Sequence, residues 1–161
     1  MTKEFGYVRA HDLDEAIGLA AENNGYGKFL AGGTDLISNI KNGIQEPKIL
    51  IDIKRIPELK RLETNGDELF IGAAVTITEV LENAKIRDRY QPLAEACSYL
   101  ASHQVRNRAT IAGNVCNASP CANTVPALCV LRAQVEFFDG TSTKAMPVED
   151  FILGVKKTAL P

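Results

Sequence analysis

Charge of one sign is not in excess in this chain. Its 161 residues hold 18 Lys and Arg against 20 Asp and Glu, a formal net charge of -2. That balance lacks the electrostatic footprint of a nucleic-acid binder, and the Lys54-Arg55 and Lys156-Lys157 pairs read as solvated faces. No stretch approaches the ~18 apolar residues of a membrane span. The opening MTKEFGYVRAHDLDEA has no apolar core of signal-peptide length, so the cytoplasm is the expected location. Cysteine is sparse: Cys97, Cys116, Cys121 and Cys129. In a reducing compartment these are not a disulfide framework. Cys116 and Cys121 are separated by four residues, without a nearby His or a second cysteine pair, which is no zinc pattern. Neither a metal nor an Fe–S site is expected; the thiols read as small groups packing near a cofactor. The chain also has no internal repeat, no low-complexity linker, and no nucleophile, triad or carboxylate cluster of a hydrolase or metal enzyme.

Hydrophobic residues make up 45% and charged residues 24%. This is the composition of a soluble globular protein, and the length suits one domain or two small subdomains sharing a core.

Local patterns mark the elements. Leu13, Ala16, Ile17 and Ala20 share one helical face. Asp12 is the expected cap, Glu15 completes a capping box, and Asn23-Asn24-Gly25 stops the helix. Lys28 to Ala31 reads as a short strand, Gly32-Gly33-Thr34 as a turn, Asp35 to Asn42 as a helix ended by Gly43, and Lys48 to Ile53 as the next strand. That is a βαβ-like unit with its loop at the strand's C-terminal end, where α/β layers favour ligands. After Pro57, Leu59–Glu63 and Glu68–Ile71 flank Asn65-Gly66, a hairpin signal. Thr76 to Glu79 reads as a helix start with Thr78 as cap. A helix is expected from about Tyr90 to Ala101, with Leu93, Ala94, Cys97 and Leu100 on one face. Val125 to Leu131 reads as a helix with Pro126 in its first turn, Gln134 to Phe138 as a strand, and Asp139-Gly140 as a turn. The division between an α/β part and a more mixed part falls near Ile56, separating residues 1–55 from 56–161.

Three segments carry candidate chemistry. In Ala31-Gly32-Gly33-Thr34-Asp35 two glycines allow close backbone approach or positive φ. Consecutive N–H groups there can form an anion nest ahead of a helix N-terminus. The segment is neither a Walker loop nor a Rossmann fingerprint, and a plain tight turn also explains it. Thr110 to Asn114, continued by Asn117 to Pro120 and Asn123-Thr124, is small, uncharged and rich in hydrogen-bonding groups. A loop closing on a bulky polar cofactor has this composition, as does a buried irregular crossing satisfied by its own amides. In His103 to Arg108, His103 has no evident partner. Arg106 and Arg108 could meet a phosphate, an acidic partner, solvent or an interdomain carboxylate.

Taken together, Leu30-Ala31-Gly32-Gly33-Thr34-Asp35-Leu36, Gln104 to Asn114, Ala118-Ser119-Pro120 with Asn123, and Lys156-Lys157-Thr158-Ala159-Leu160 resemble one family. It is the FAD-binding subunit or domain of the xanthine dehydrogenase, carbon monoxide dehydrogenase and nicotinate dehydrogenase group of molybdenum hydroxylases. The resemblance runs the length of the chain, in order and with matching spacings. It implies an α+β fold, the two-subdomain FAD-binding architecture shared with the vanillyl-alcohol oxidase (PCMH-type) group. Residues 1–55 would be the first subdomain and 56–161 the second, incomplete at its C-terminus.

By position, the resemblance implies that Phe29, Leu30, Ala31, Gly32, Gly33, Thr34, Asp35 and Leu36 hold the FAD pyrophosphate through backbone N–H groups. Asp35 matches an acidic position near the cofactor. Leu100, beside Ala101, matches a position that covers the adenine. Thr110, Ile111, Ala112, Gly113 and Asn114 would form the second cofactor loop. Asn123 stands where the family often has Asp, so a charged contact becomes a neutral one.

The implied function is an oxidoreductase component. A molybdopterin subunit oxidises the substrate, a subunit with two [2Fe–2S] clusters relays electrons to FAD here, and NAD+ or another acceptor takes them. The flavin carries the redox chemistry and the protein positions it. A non-redox nucleotide-binding module and a structural subunit are the alternatives. Family members continue well beyond the Lys-Thr-x-Leu segment, so weaker FAD binding is expected of residues 1–161 alone, with the remainder supplied in cis or trans.

Overall fold

Residues 4–160 are described by a computed structural model. β1 (Gly6–Arg9), α1 (Leu13–Glu22), β2 (Gly27–Leu30), α2 (Thr34–Lys41) and β3 (Ile49–Asp52) come first. The three strands form a parallel sheet in the order β1-β3-β2, with Phe29 opposite Ile51 and Leu30 opposite Asp52. Successive β3 side chains point to opposite faces. Ile51 packs with Ala16 on the α1 side, and Leu50 with Leu30 and Ile40 on the α2 side. The expected β2–α2–β3 unit is therefore parallel, with α2 on one face. β1 had no counterpart in the sequence reading. It is four residues long with little buried surface, and its pairing partner β3 lies some forty positions on, a non-local contact that periodicity does not report.

Asp12 caps α1, accepting from the Glu15 N–H at 2.8 Å. The Glu15 carboxylate bonds the His11 N–H at 2.7 Å, so the reciprocal half of the expected box lands one residue early. Asn24 and Gly25, at φ 46° and 80°, end the helix in the left-handed region.

A 3-10 turn, Pro57–Lys60, opens the second part. It removes Leu59 and Lys60 from the expected hairpin arm, because the Leu59 carbonyl accepts from the Ala74 N–H at 2.8 Å. The hairpin itself is β4 (Leu62–Asn65) and β5 (Glu68–Ile71), turned at Gly66 with φ 58°. α3 (Ile77–Glu82), α4 (Ala84–Arg89), α5 (Gln91–Ser98), α6 (His103–Arg106), α7 (Ile111–Cys116) and α8 (Thr124–Val130) follow. β6 (Gln134–Phe138) pairs antiparallel with β7 (Thr143–Pro147), and α9 (Val148–Phe151) leads to the β8 (Ile152–Gly154) and β9 (Lys157–Thr158) ribbon.

The cap of α3 is Thr76, not Thr78. Thr76 and Glu79 form a full capping box, while the Thr78 hydroxyl donates to Asn107 Oδ1 at 2.6 Å. Starting at Ile77 buries that side chain completely, which a start after Thr78 would forgo. α5 is shorter than expected, and Ala101 beyond it sits at φ 45°.

The largest apolar cluster joins Val75, Ile77, Val80, Leu93, Cys97 and Phe151, with Phe137 meeting Phe151 edge-on at 5.3 Å between ring centres. Its members run from Leu62 to Ala159, whereas the sheet clusters draw on residues from Val8 to Leu59. Among the described residues no helix is long and apolar enough to cross a membrane.

Candidate functional site

The chain leaves β2 at Leu30 and turns through Ala31, Gly32 and Gly33 into α2. The two glycines are needed for different reasons. A Cβ on Gly32 would lie 2.3 Å from the Arg108 carbonyl oxygen and 2.9 Å from Ala109 Cα, so the turn rests directly on the backbone before α7. Gly33 holds φ 75°, the left-handed region that favours glycine. The close approach anticipated for a ligand is thus, at Gly32, an approach to another stretch of the same chain.

Gly33 stands at the N-cap of α2 and offers no side-chain cap. The first N–H groups of a helix have no intrahelical acceptor, so those opening α2 stay available to an external one. Around them Asp35 is exposed, Leu36 is half-buried, and Phe29 on the edge strand is 44% exposed.

Across the contact, Thr110 pairs with Thr76 and the Ala109 carbonyl accepts from the Ile77 N–H at 2.8 Å, docking this stretch on the start of α3. The segment Thr110 to Asn114, expected as a loop, is the start of helix α7. Thr110 caps it, its Oγ1 accepting from the Gly113 N–H at 2.9 Å, and Ile111 and Val115 are buried beneath it. Composition missed the helix because Gly, Asn and Thr disfavour helix interiors; tertiary burial of Ile111 and Val115 decides the outcome. Ala112 and Asn114 are half-buried and Gly113 is exposed. Asn114 Oδ1 accepts from Thr124 Oγ1 at 2.6 Å, tying α7 to α8. Asn123 is exposed and makes no side-chain cap on α8.

Leu100 is buried in the large cluster, and exposed Ala101 follows it. Arg106 lies against them: its Nη1 donates to the carbonyls of Ser98, Leu100 and Ala101 at 3.2, 3.1 and 2.9 Å. Of the four destinations open for Arg106, the structure chooses none; the guanidinium closes the end of α5. His103 Nδ1 lies 3.3 Å from Asn107 Nδ2 on the surface.

Near the sheet, one polar centre went unread in the sequence. Asp52 is 2% exposed at the end of β3, ion-paired to Lys54 Nζ at 2.8 Å and hydrogen-bonded by the Tyr7 hydroxyl. Burial pushes its carboxyl up, but Lys54 and Tyr7 outweigh this and leave it below the usual carboxylate range. A lone acid closing the run Lys48 to Ile53 was the available signal. Cys97 is fully buried, which pushes its thiol up to about 12, whereas Cys116 is exposed. Among the described residues no three His, Cys, Asp or Glu gather where a metal could sit.

The ends of all three strands open onto a cleft of about 560 Å³ that extends to Thr76 and Thr110. Leu30 and Ala31 reach it, whereas Gly32 to Leu36 and Ile111 to Asn114 do not line it.

Comparison with known proteins matches residues 3–161 to the family described as "FAD binding domain in molybdopterin dehydrogenase". The chain is 33% identical over 157 residues to the carbon monoxide dehydrogenase medium chain of Hydrogenophaga pseudoflava, covering 97% of this chain and 54% of that one. It is 33% identical over 153 residues to the nicotinate dehydrogenase FAD-subunit of Eubacterium barkeri, covering 94% and 52%. The solved carbon monoxide dehydrogenase of Hydrogenophaga pseudoflava, in a form lacking the Mo-pyranopterin moiety of its cofactor, superimposes with a TM-score of 0.94 at 30% identity, over 100% of this chain and 56% of that one. The chain thus spans about half the length of the curated relatives it matches.

Proposed function

The chain belongs to the family of FAD-binding domains of molybdopterin dehydrogenases, and from that premise we propose that it holds FAD across the Gly32–Arg108 contact as the electron-transfer component of a molybdenum hydroxylase. The supporting observation is the uncapped start of α2. Gly33 supplies the left-handed turn and no capping side chain, so the opening N–H groups point outward with the positive end of the helix dipole. A diphosphate is the ligand that such a start suits.

The candidate residues divide by what they can do. Gly33 to Leu36 offer backbone donors to the pyrophosphate. Asp35, exposed in the first turn of α2, is an acceptor for a ribose hydroxyl beside it. In α7 the exposed Gly113 leaves a bare backbone surface against which a ligand can lie. Asn114 spends its Oδ1 on Thr124, keeping its amide N–H groups for an acceptor. Asn123 would serve as a neutral hydrogen-bonding group. Leu100 lies in the core, so it would support an adenine from below, with exposed Ala101 the nearer surface.

FAD, when bound, supplies the redox chemistry, accepting and passing on electrons. In this reading a molybdenum-cofactor subunit and a [2Fe–2S] subunit are the partners, with NAD+ or another acceptor beyond the flavin. The cytoplasm is the proposed location, and residues 1–55 and 56–161 are the proposed subdomains, although the apolar clusters divide a few residues later, between Leu59 and Leu62.

Titration of FAD into the purified protein and its Gly33→Val variant, followed by flavin fluorescence alongside the melting temperature, tests the reading. The variant is expected to lose roughly tenfold or more in affinity, about 1.4 kcal/mol of binding. Unchanged affinity in a folded variant removes α2 from the cofactor site.

A further inference from the structure

We infer that the cleft at the C-terminal ends of β1, β2 and β3 is a second anion site, built for a phosphate-bearing small molecule with two or more negative charges. Five cationic residues line it: Arg9, Lys54, Arg55, Lys60 and Arg108. Only two carboxylates, Asp52 and Glu79, share the wall, and both are engaged. Asp52 is held by Lys54 and Tyr7, with Arg9 Nε also 4.0 Å from its carboxylate. Glu79 accepts from the Thr76 N–H and hydroxyl, each at 2.7 Å.

Among the described residues the side chains of Arg55, Lys60 and Arg108 have no hydrogen-bond or ion-pair partner. The neutral groups are committed: the Thr76 hydroxyl to Glu79, and the Thr110 hydroxyl to the Gly113 N–H at 2.9 Å. What remains to meet a ligand is therefore almost purely cationic. Like charges sharing a walled cleft raise its potential and attract counter-charge. Guanidinium groups bind phosphate oxygens in forked pairs. About 560 Å³ matches a small-molecule pocket. The cations converge from β1, from the stretch after β3 and from the α6–α7 connection, which suits a compact ligand rather than an extended acidic segment.

The cleft is distinct from the diphosphate position proposed at α2, since Gly32 to Leu36 do not line it, although Leu30, Ala31 and Thr110 of the flavin candidates do. It is nevertheless joined to it. Arg108 lines the cleft, and its carbonyl oxygen abuts Gly32, where a Cβ would come within 2.3 Å. A ligand drawing on Arg108 therefore bears on the glycine turn, and any effect on flavin affinity must be reciprocal. The anion site itself does not rest on the flavin reading.

Calorimetric titration of inorganic pyrophosphate into the purified protein, free of FAD and then saturated with it, is the test. Saturable binding is expected in both states, weakened by added salt, and weakened roughly tenfold by Arg55→Gln and by Lys60→Gln. Both positions are exposed, and circular dichroism checks that each variant folds. The inference is overturned if pyrophosphate does not bind, or if both folded variants bind it like the parent. It is also overturned if FAD displaces it one for one, which would make the cleft part of the flavin's own site. Binding of a poly-glutamate peptide without binding of pyrophosphate would instead assign the cleft to an acidic protein partner.

Discussion

α2 and α7 start on either side of one backbone contact, and they start differently. At α7 the Thr110 hydroxyl accepts from the Gly113 N–H, so a donor is consumed by the fold. At α2 Gly33 contributes no acceptor and the equivalent donors stay open. Both arrangements are locally stable, but a side-chain cap stabilises a helix by about 1 kcal/mol. A glycine N-cap forgoes only roughly a few tenths of a kcal/mol of this, and water or a ligand can meet the open donors. The contrast separates a helix start closed by its own side chain from one whose donors remain open.

The contact between them is the place to break the comparison first. Gly32→Ala is expected to destabilise the fold by about 3 kcal/mol, because the added methyl meets rigid backbone at Arg108 and Ala109. Urea denaturation would show it; a loss below about 1 kcal/mol would mean that the contact yields easily. Next comes Asp52→Asn, which leaves Lys54 facing a neutral amide at the strand ends. Lys54 is 27% exposed and can regain water, so the loss should be about 2 kcal/mol at neutral pH. The carboxyl of Asp52 is held below its ordinary value of 3.8. Its contribution is therefore complete above that value and disappears as pH falls through and below it. Stability curves for parent and variant should converge toward acid, and parallel curves from neutral to acid pH would refute the assignment.

The smaller effects bear on the two helix starts themselves. Thr110→Ala should cost about 1.5 kcal/mol and Thr110→Ser much less, since serine keeps the capping oxygen. Equal losses in both variants would show that the methyl group, not the cap, matters. Gly33→Ala should cost about 1 kcal/mol for the left-handed backbone. Its added Cβ presses on the end of the Leu30 side chain, which can turn away, and touches Ile37 Cγ1 at 3.4 Å. Thr110→Ala should change stability more than flavin affinity, and Gly33→Ala the reverse; a reversal of that pattern would undo the contrast.

Helix α1, the β2–α2–β3 unit and the Asn65-Gly66 hairpin were legible because each is declared by neighbouring residues: a cap, a glycine at positive φ, an alternating run. Where readings slipped, a distant partner had intervened. Thr78 resembles a cap by type, but burial of Ile77 moves the start back to Thr76. Arg106 resembles a phosphate ligand in sequence, yet the carbonyls ending α5 claim it. Thr110 to Asn114 resembles a loop until Ile111 and Val115 find the core. Within the candidate site, the glycine turn could be read in the chain, whereas the role of Asp52 as a charge centre could not.

By itself the sequence determined where glycine breaks the chain, which residues can cap a helix, and the family whose motifs it carries. These follow from local sterics and hydrogen bonding, which act within a few residues. Only the tertiary structure decided that Gly32 meets Arg108, that β1 joins β3, and that five cations gather around one cleft with two occupied carboxylates. Those outcomes depend on through-space packing and charge between segments far apart in the chain, and no local pattern encodes which segments will meet.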